Sequence, residues 1–287
     1  MSTLPGNEPS VVRRPVTRVT GRSRERFEDA LAVERALEMR IDGQSLAVTL
    51  RTPGHDRELA LGFLASEGII TSAQDLAGTR EEASSCDDGS DDGSDDGSDD
   101  GSDVLDLLLR PGHVVDWSKL ERHFASTSAC GLCGRAHLDA MRAGLMAVAE
   151  GRPVDVAGLL ELSARVRGGQ AAFTETGGLH AAAWCDAELE PRVLREDVGR
   201  HNAVDKVCGW LLEQGRRPVG EGLLWVSGRA GAELVLKAAR AGIPAMASVG
   251  APSSLAVELA VAANLTLVGF LREGRMNVYC GEERLRH

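Results

Sequence analysis

The sequence predicts an α/β protein: a C-terminal parallel or mixed sheet with flanking helices, joined to a smaller N-terminal α+β part. Three observations predict this. First, the short apolar segments GLLWVS (222–227), IPAMASV (243–249) and NLTLVGFL (264–271) alternate with helical patterns, the grammar of βαβ units and a largely parallel sheet. Second, the run from His201 places Val204, Val207, Cys208, Leu211 and Leu212 on one helical stripe, which puts Cys208 in a core. Third, ALEMRIDGQSLAVTL alternates Leu37, Met39, Ile41 and then Leu46, Val48, Leu50 around Asp42-Gly43, the pattern of a half-buried hairpin. With 287 residues the chain is long enough to bury its cores without metal or disulfide staples. The expected organisation is an N-terminal α+β region over 1–125, a loop and helix carrying two cysteines over 126–150, and an α/β domain over 151–287.

Along the chain, a helix is expected from Asp56, burying Leu59, Phe63 and Leu64 and stopping at Gly68. The tetrapeptide repeat CDDGSDDGSDDGSDDGSD (86–103) has no apolar residue after its cysteine, so it is read as a disordered insertion in a surface loop. Calcium is its sharpest alternative, but an EF-hand loop needs a terminal glutamate and flanking helices that are missing. VLDLLL (104–109) reads as a strand ended by Pro111. After the two cysteines, Leu138, Met141, Leu145 and Met146 suggest an amphipathic helix. LAVELAVAANLTLVGFL, from Leu255, is broken by Glu258 and Asn264 and reads as a buried helix followed by a strand, not a membrane span.

The formal charge of −11 comes mostly from one place. Nine aspartates lie in the repeat between Asp87 and Asp103, and removing them leaves only −2. Without a basic patch, and with aromatics at 3%, neither a phosphate-tracking groove nor a base-stacking platform is suggested, so nucleic acid is not an expected partner. The first twenty residues lack the apolar core of a signal peptide, and the six cysteines are irregularly spaced, unlike a secreted disulfide scaffold. A cytoplasmic location with no membrane segment is expected.

Three strand-to-helix junctions share a design: REDVGRHNAVDK (195–206), SGRAGAE (227–233) and SVGAPSS (248–254). Each places glycine and small polar residues where backbone N–H groups and a helix dipole suit an anion. In a parallel sheet the strand ends share one edge, so the three junctions could line a single crevice. Any one of them alone is an ordinary capped turn; together, with Arg200 and Arg229, they point to an anionic small molecule. None matches a Walker loop or GxGxxG. FTETGGLHAAAWCD (173–186) sets His180 in a strand behind a glycine-rich approach, and is equally readable as core or as ligand contact. FLREGRMNVY (270–279) reads as a hairpin turning at Glu273-Gly274, with Arg272 and Arg275 either solvated or placed for phosphate.

SACGLCGRAH (128–137) carries Cys130 and Cys133. Structural zinc needs four ligands, and only His123 and His137 are available to complete this pair. The zinc deaminases pair PCxxC with an upstream HxE; here Ala129 replaces the proline and the HxE is absent. A reactive or redox thiol pair fits better, since Arg135 and a helix start would lower a thiol pKa. A thioredoxin pair would follow a strand directly, whereas polar FASTSA precedes this one.

Taken in order, SACGLCGRA, FTETGGLHAAAW, REDVGRHNAVDK, SGRAGAELVLKAARAGIPAMASVGAPSSLAVELA and GFLREGRMNVY closely resemble the formate dehydrogenase accessory protein (FdhD) family of sulfurtransferases, over roughly Ser126 to Tyr279. The resemblance implies a cytoplasmic sulfur carrier that takes sulfur from a cysteine desulfurase as a persulfide. The sulfur passes to the molybdenum cofactor of formate dehydrogenase, molybdenum bis(molybdopterin guanine dinucleotide). It implies Cys130 as the persulfide cysteine, Cys133 as its assistant, and no metal between them. It also implies Phe270, Leu271, Arg272, Glu273, Gly274 and Arg275 as cofactor-binding residues. The crevice residues His180, Arg200, His201, Ser227, Gly228, Arg229 and Gly250 complete the expected ligand set. A homodimer and a C-terminal half similar in fold to cytidine deaminases are further implications. Two alternatives stay open, a cofactor-binding chaperone and a zinc-stabilised module, neither moving sulfur. The Asp/Gly/Ser repeat departs from the family pattern, but no motif falls inside it.

Overall fold

The computed structural model describes residues 9–82, 103–117 and 145–287. Cys130 and Cys133, most of the amphipathic run after them, and the Asp/Gly/Ser repeat up to residue 102 lie outside the described residues.

The chain begins with a two-stranded antiparallel ribbon, β1 (Val11–Thr20) and β2 (Ser23–Ala32), which the sequence reading did not anticipate. Its turn uses Gly21 at φ 60°, and Arg18 stacks 4.2 Å over the Phe27 ring, a cation–π contact. A four-stranded sheet follows in the order β4-β3-β6-β5, from β3 (Arg35–Ile41), β4 (Gln44–Arg51), β5 (Leu76–Glu82) and β6 (Asp103–Leu109). Asp42 and Gly43 turn the β3–β4 hairpin, both at positive φ, as a type I′ turn requires. The Asp42 carboxylate also accepts from the Leu109 N–H at 3.1 Å, which pins β6 to that turn.

Helix α1 (Asp56–Ser66) covers this sheet, burying Leu59 and Leu64 against Leu37, Met39, Ile41 and Leu105. The alternation expected for β3 is observed. Of the three apolar positions expected to alternate on β4 only Leu46 is buried, while Val48 and Leu50 are 61% and 57% exposed. The physical reason is that β4 is an edge strand whose second half borders an open cavity instead of the core.

The C-terminal half is a six-stranded sheet in the order β13-β12-β11-β10-β8-β9. Its strands are β8 (His180–Cys185), β9 (Pro191–Asp197), β10 (Leu223–Val226), β11 (Ala245–Ser248), β12 (Thr266–Arg272) and β13 (Arg275–Cys280). A short parallel pair, β7 (Val154–Asp155) with β14 (Leu285–Arg286), lies apart from it. Within the six-stranded sheet, β10–β11 and β11–β12 are parallel pairings, while β10–β8, β8–β9 and β12–β13 are antiparallel. The sheet is therefore mixed, within the expected parallel-or-mixed class, but with more antiparallel pairing than the strand–helix alternation suggested. The cause is local: β8–β9 and β12–β13 are joined by five and two residues, too few for the crossover that parallel neighbours need.

Helices pack on both faces. On one side α4 (Arg200–Glu213), α5 (Ala232–Ala241) and α6 (Ser254–Ala262) bury Val204, Val207, Leu211, Leu234 and Leu259 against Trp184, Leu224 and Met246. On the other, α2 (Val156–Arg167) buries Leu159, Leu162 and Val166 against Ala183, Trp225 and Val268. Successive residues of β10 thus enter opposite cores, which explains its unbroken apolar run. The stretch from Leu255 is a helix and then a strand, as read. Among the described residues no helix is long and apolar enough to cross a membrane. Leu145 to Glu150 are not helical; Leu145 packs on the core while Met146 is exposed. Here the Val148 N–H donates to the Ala263 carbonyl at 2.9 Å, so this stretch docks as extended chain at the end of α6.

Two glycines join the halves. An added Cβ on Gly62 of α1 would lie 1.9 Å from the Asp205 carbonyl oxygen, and one on Gly209 of α4 would lie 1.8 Å from that of Glu58. The two helices therefore touch backbone to backbone. Arg195 of β9 grips the Glu58 carboxylate with two bonds, the Nη2 one at 2.7 Å.

Candidate anion-binding site

Strand direction decides what shares the edge of the large sheet. Because β9 and β10 are each antiparallel to β8, they run the same way as β11 and β12. The carboxyl ends of β9, β10, β11 and β12 therefore line one edge, together with the starts of β8 at His180 and of β13 at Arg275. All thirteen residues expected to bind the cofactor stand along this edge.

The junctions are laced to one another by backbone. Ser227 exchanges two bonds of 2.9 Å with Ala181, one through its N–H and one through its Oγ. The Gly250 N–H donates to the Gly228 carbonyl at 2.9 Å, and the Phe270 N–H donates to the Gly250 carbonyl at 3.1 Å. Two glycines permit this closeness. A Cβ on Gly250 would meet Arg229 Cγ and the Gly228 carbonyl oxygen at 3.0 Å, and one on Gly228 would stand 3.3 Å from His180 Nδ1. Buried Ser248 donates to the Gly250 carbonyl at 2.9 Å, fixing the third junction from beneath.

The helix starts that face this edge are open. Gly199 and Gly231, the residues preceding α4 and α5, provide no side-chain cap, so the first N–H groups of both helices are left for a ligand. The third start differs, since Ser253 accepts from the Ala256 N–H at 3.2 Å. Arg200 and His201 form the first turn of α4, and His201 Nε2 lies 2.8 Å from Glu233 Oε2 on α5. The His180 imidazole is half-buried, and its pKa is lowered by loss of solvent first, then by Arg200 and His201, with Asp197 opposing. A neutral ring at physiological pH follows.

Phe270 occupies φ 53°, an uncommon conformation for an aromatic residue and one that marks strained, often functional positions. Its ring is 39% exposed, beside an irregular stretch of the β12–β13 pairing between Gly269 and Arg272. Arg272, Glu273, Gly274 and Arg275 form the exposed turn, with Gly274 at φ 72°. Leu271 is placed differently: its side chain is buried in the α2-side core, and its carbonyl already accepts from Ser163 Oγ at 3.2 Å.

Three features escaped the sequence reading. Glu233 and Asp197 both stand inside quoted junction motifs but were passed over in favour of the arginines. The third is a cavity of about 520 Å³ beside the edge, lined by Leu46, Val48, Phe63, His201, Leu236 and Lys237 among others. It forms where β4 and α1 meet α4 and α5, a juxtaposition with no local signature. Among the described cysteines, Cys185 and Cys208 are pushed up to about 12 by burial, and burial also raises Cys280. None of these thiols suits thiolate chemistry.

The comparisons with known proteins agree with one another. The FdhD/NarQ family model matches residues 32–286. A Nocardia farcinica protein named sulfur carrier protein FdhD is 49% identical over 276 residues, covering 96% of this chain and 94% of the relative. A Streptomyces avermitilis protein of the same name is 46% identical, covering 95% of each. A crystal structure of a candidate formate dehydrogenase accessory protein from Desulfotalea psychrophila superposes with a TM-score of 0.73 over 97% of this chain and all of that one, at 22% identity. The matched span runs through both sheets and every junction of the edge, and the chain belongs to the FdhD/NarQ family.

Proposed function

We propose that this protein is a sulfur carrier that takes sulfur from a cysteine desulfurase and delivers it to molybdenum bis(molybdopterin guanine dinucleotide) destined for formate dehydrogenase. The observation that carries the ligand half of this reading is the convergence of two uncapped helix starts, the laced glycine junctions and four arginines on one sheet edge. Such an edge suits a large ligand with a pyrophosphate. Arg200, Arg229, Arg272 and Arg275 would hold its phosphates, and the exposed Phe270 ring and His180 its flat rings. The cofactor supplies the molybdenum that accepts sulfur; the protein positions it and brings the sulfur.

The sulfur half rests on Cys130. Its thiolate attacks the outer sulfur of the desulfurase persulfide, forming a Cys130 persulfide while the desulfurase cysteine leaves as thiolate. Attack by the Cys133 thiolate on the Cys130 sulfur then forms a disulfide and releases the outer sulfur as hydrosulfide into the crevice. A thiol reductant restores the pair. Family membership supports this assignment, as does the unsuitability of Cys185, Cys208 and Cys280.

The test is mass spectrometry of the protein after incubation with a cysteine desulfurase and cysteine. One added sulfur is expected on wild type and on Cys133→Ala, and none on Cys130→Ala. No gain on wild type overturns the reading. Intact maturation of formate dehydrogenase by Cys130→Ala would leave a cofactor-binding chaperone instead.

A further inference from the structure

We propose that Asp197 and Lys206 are positioning residues of the crevice: their buried ion pair locks the β9–α4 junction that presents Arg200 and His201, and ties it to the N-terminal unit through Thr52. This rests on the proposed function only for what the crevice binds. The two side chains are 0% and 1% exposed, with Lys206 Nζ 2.8 Å from Asp197 Oδ2. A buried pair is weak evidence for stability, because desolvation offsets much of its attraction. What it holds in place is therefore the better guide to its role.

Every acceptor position of Asp197 is used. Oδ1 accepts from the Gly199 N–H at 2.8 Å and from Asn202 Nδ2 at 3.0 Å. Oδ2 accepts from Lys206 and from the Thr52 N–H at 3.2 Å. Gly199 and Asn202 bracket Arg200 and His201, so both residues sit between two points fixed to one carboxylate. The lack of a side chain at Gly199 lets Asn202 close over the turn, since a Cβ there would lie 2.9 Å from Asn202 Nδ2. Asp197 is also the cross-strand partner of His180.

Thr52 completes the lock from the other unit. Its carbonyl accepts from Lys206 Nζ at 2.8 Å, and its Oγ1 accepts from the Val198 N–H at 3.2 Å. With its own N–H on Asp197, all three polar groups of this buried residue engage the junction. Asn202 adds a bond to the Leu50 carbonyl at 2.8 Å. The end of β4 thus sets where the crevice cations stand.

The experiment uses the full-length protein. Asp197→Leu/Lys206→Met removes both charges together, a change that buried pairs often tolerate, and Leu162→Ala serves as a control that loosens the opposite core. Thr52→Val is a milder second variant that removes only the bond to Val198. Hydrogen exchange is read at residues 198–203, and affinity is measured calorimetrically for guanosine diphosphate, the nucleotide and pyrophosphate portion of the proposed ligand. Exchange at 198–203 is expected to rise at least tenfold in the double variant, and at Val198 in Thr52→Val, with no change there in Leu162→Ala. Guanosine diphosphate affinity should fall at least tenfold in the double variant and hold in Leu162→Ala. Unchanged exchange at 198–203 in the double variant or in Thr52→Val, or an affinity loss that merely follows melting temperature across all variants, overturns the positioning role. Wild type that does not bind guanosine diphosphate would count against the proposed ligand, while the exchange data still decide the lock.

Discussion

Replacing Gly209 by alanine adds one methyl group where two helices meet backbone to backbone. That carbon would lie 1.8 Å from the Glu58 carbonyl oxygen and 2.6 Å from its carbon, far inside van der Waals contact, and a main-chain carbonyl cannot rotate away as a side chain can. The helices must separate by more than an ångström along a crossing that buries Leu59, Leu61 and Leu212. Overpacking of this kind costs about 1–3 kcal/mol, and a rigid obstacle argues for the upper end. Alanine returns about 1 kcal/mol of helix propensity. The net loss is about 2 kcal/mol, which lowers the melting temperature by about 3 °C in a protein of this size. Thermal unfolding followed by circular dichroism measures it. Gly62→Ala should behave alike, and the double variant should lose much less than the sum, because the first methyl already opens the crossing. A Gly209→Ala protein that melts at or above wild type would show that propensity wins and that the crossing is not as tight as described.

Other outcomes follow from the site. Phe270→Gly relieves a positive φ and should leave the melting temperature within a few degrees of wild type, while lowering guanosine diphosphate affinity measured by calorimetry at least fivefold. Arg51 is 2% exposed and bonds Asp56 at 2.7 Å and Asp103 at 2.6 Å. Arg51→Met should cost roughly 2 kcal/mol, because Asp56 loses both bonds while Asp103 keeps Arg35 at 3.0 Å, read as a lower denaturation midpoint. His180 binds its proton less readily folded than unfolded, so the unfolded state takes up more protons as pH falls. Its contribution to stability is therefore present above about 6.5 and is lost as pH drops through the lowered folded value. His180→Gln should flatten the decline in melting temperature below pH 6.5 relative to wild type; an identical slope would refute the assignment.

Much of the secondary structure was legible because its signals are carried by neighbouring residues. Asp42-Gly43 and Glu273-Gly274 supply positive φ where two strands must turn, and the stripe from Val204 to Leu212 specifies α4 without outside help. The β1–β2 ribbon was missed because its ten-residue strands scatter a few apolar residues among arginines and acids and bury little, leaving no clean alternation to read. The alternation of strands and helices left the large sheet as parallel or mixed; the short connections beside β8 and β13 are what make its outer pairings antiparallel.

By itself the sequence determined where many of the strands, helices and turns lie, and that glycine-rich junctions would be exposed at strand ends, since periodicity and turn chemistry act over a few residues. Only the tertiary structure decided that four strand ends and two strand starts share one edge, that Val48 and Leu50 stay in the open, and that Lys206 of α4 is buried on Asp197 with Thr52 from the other unit. Those outcomes join residues separated by as many as 154 positions. Contacts at such separations depend on how whole elements pack, which no local pattern encodes.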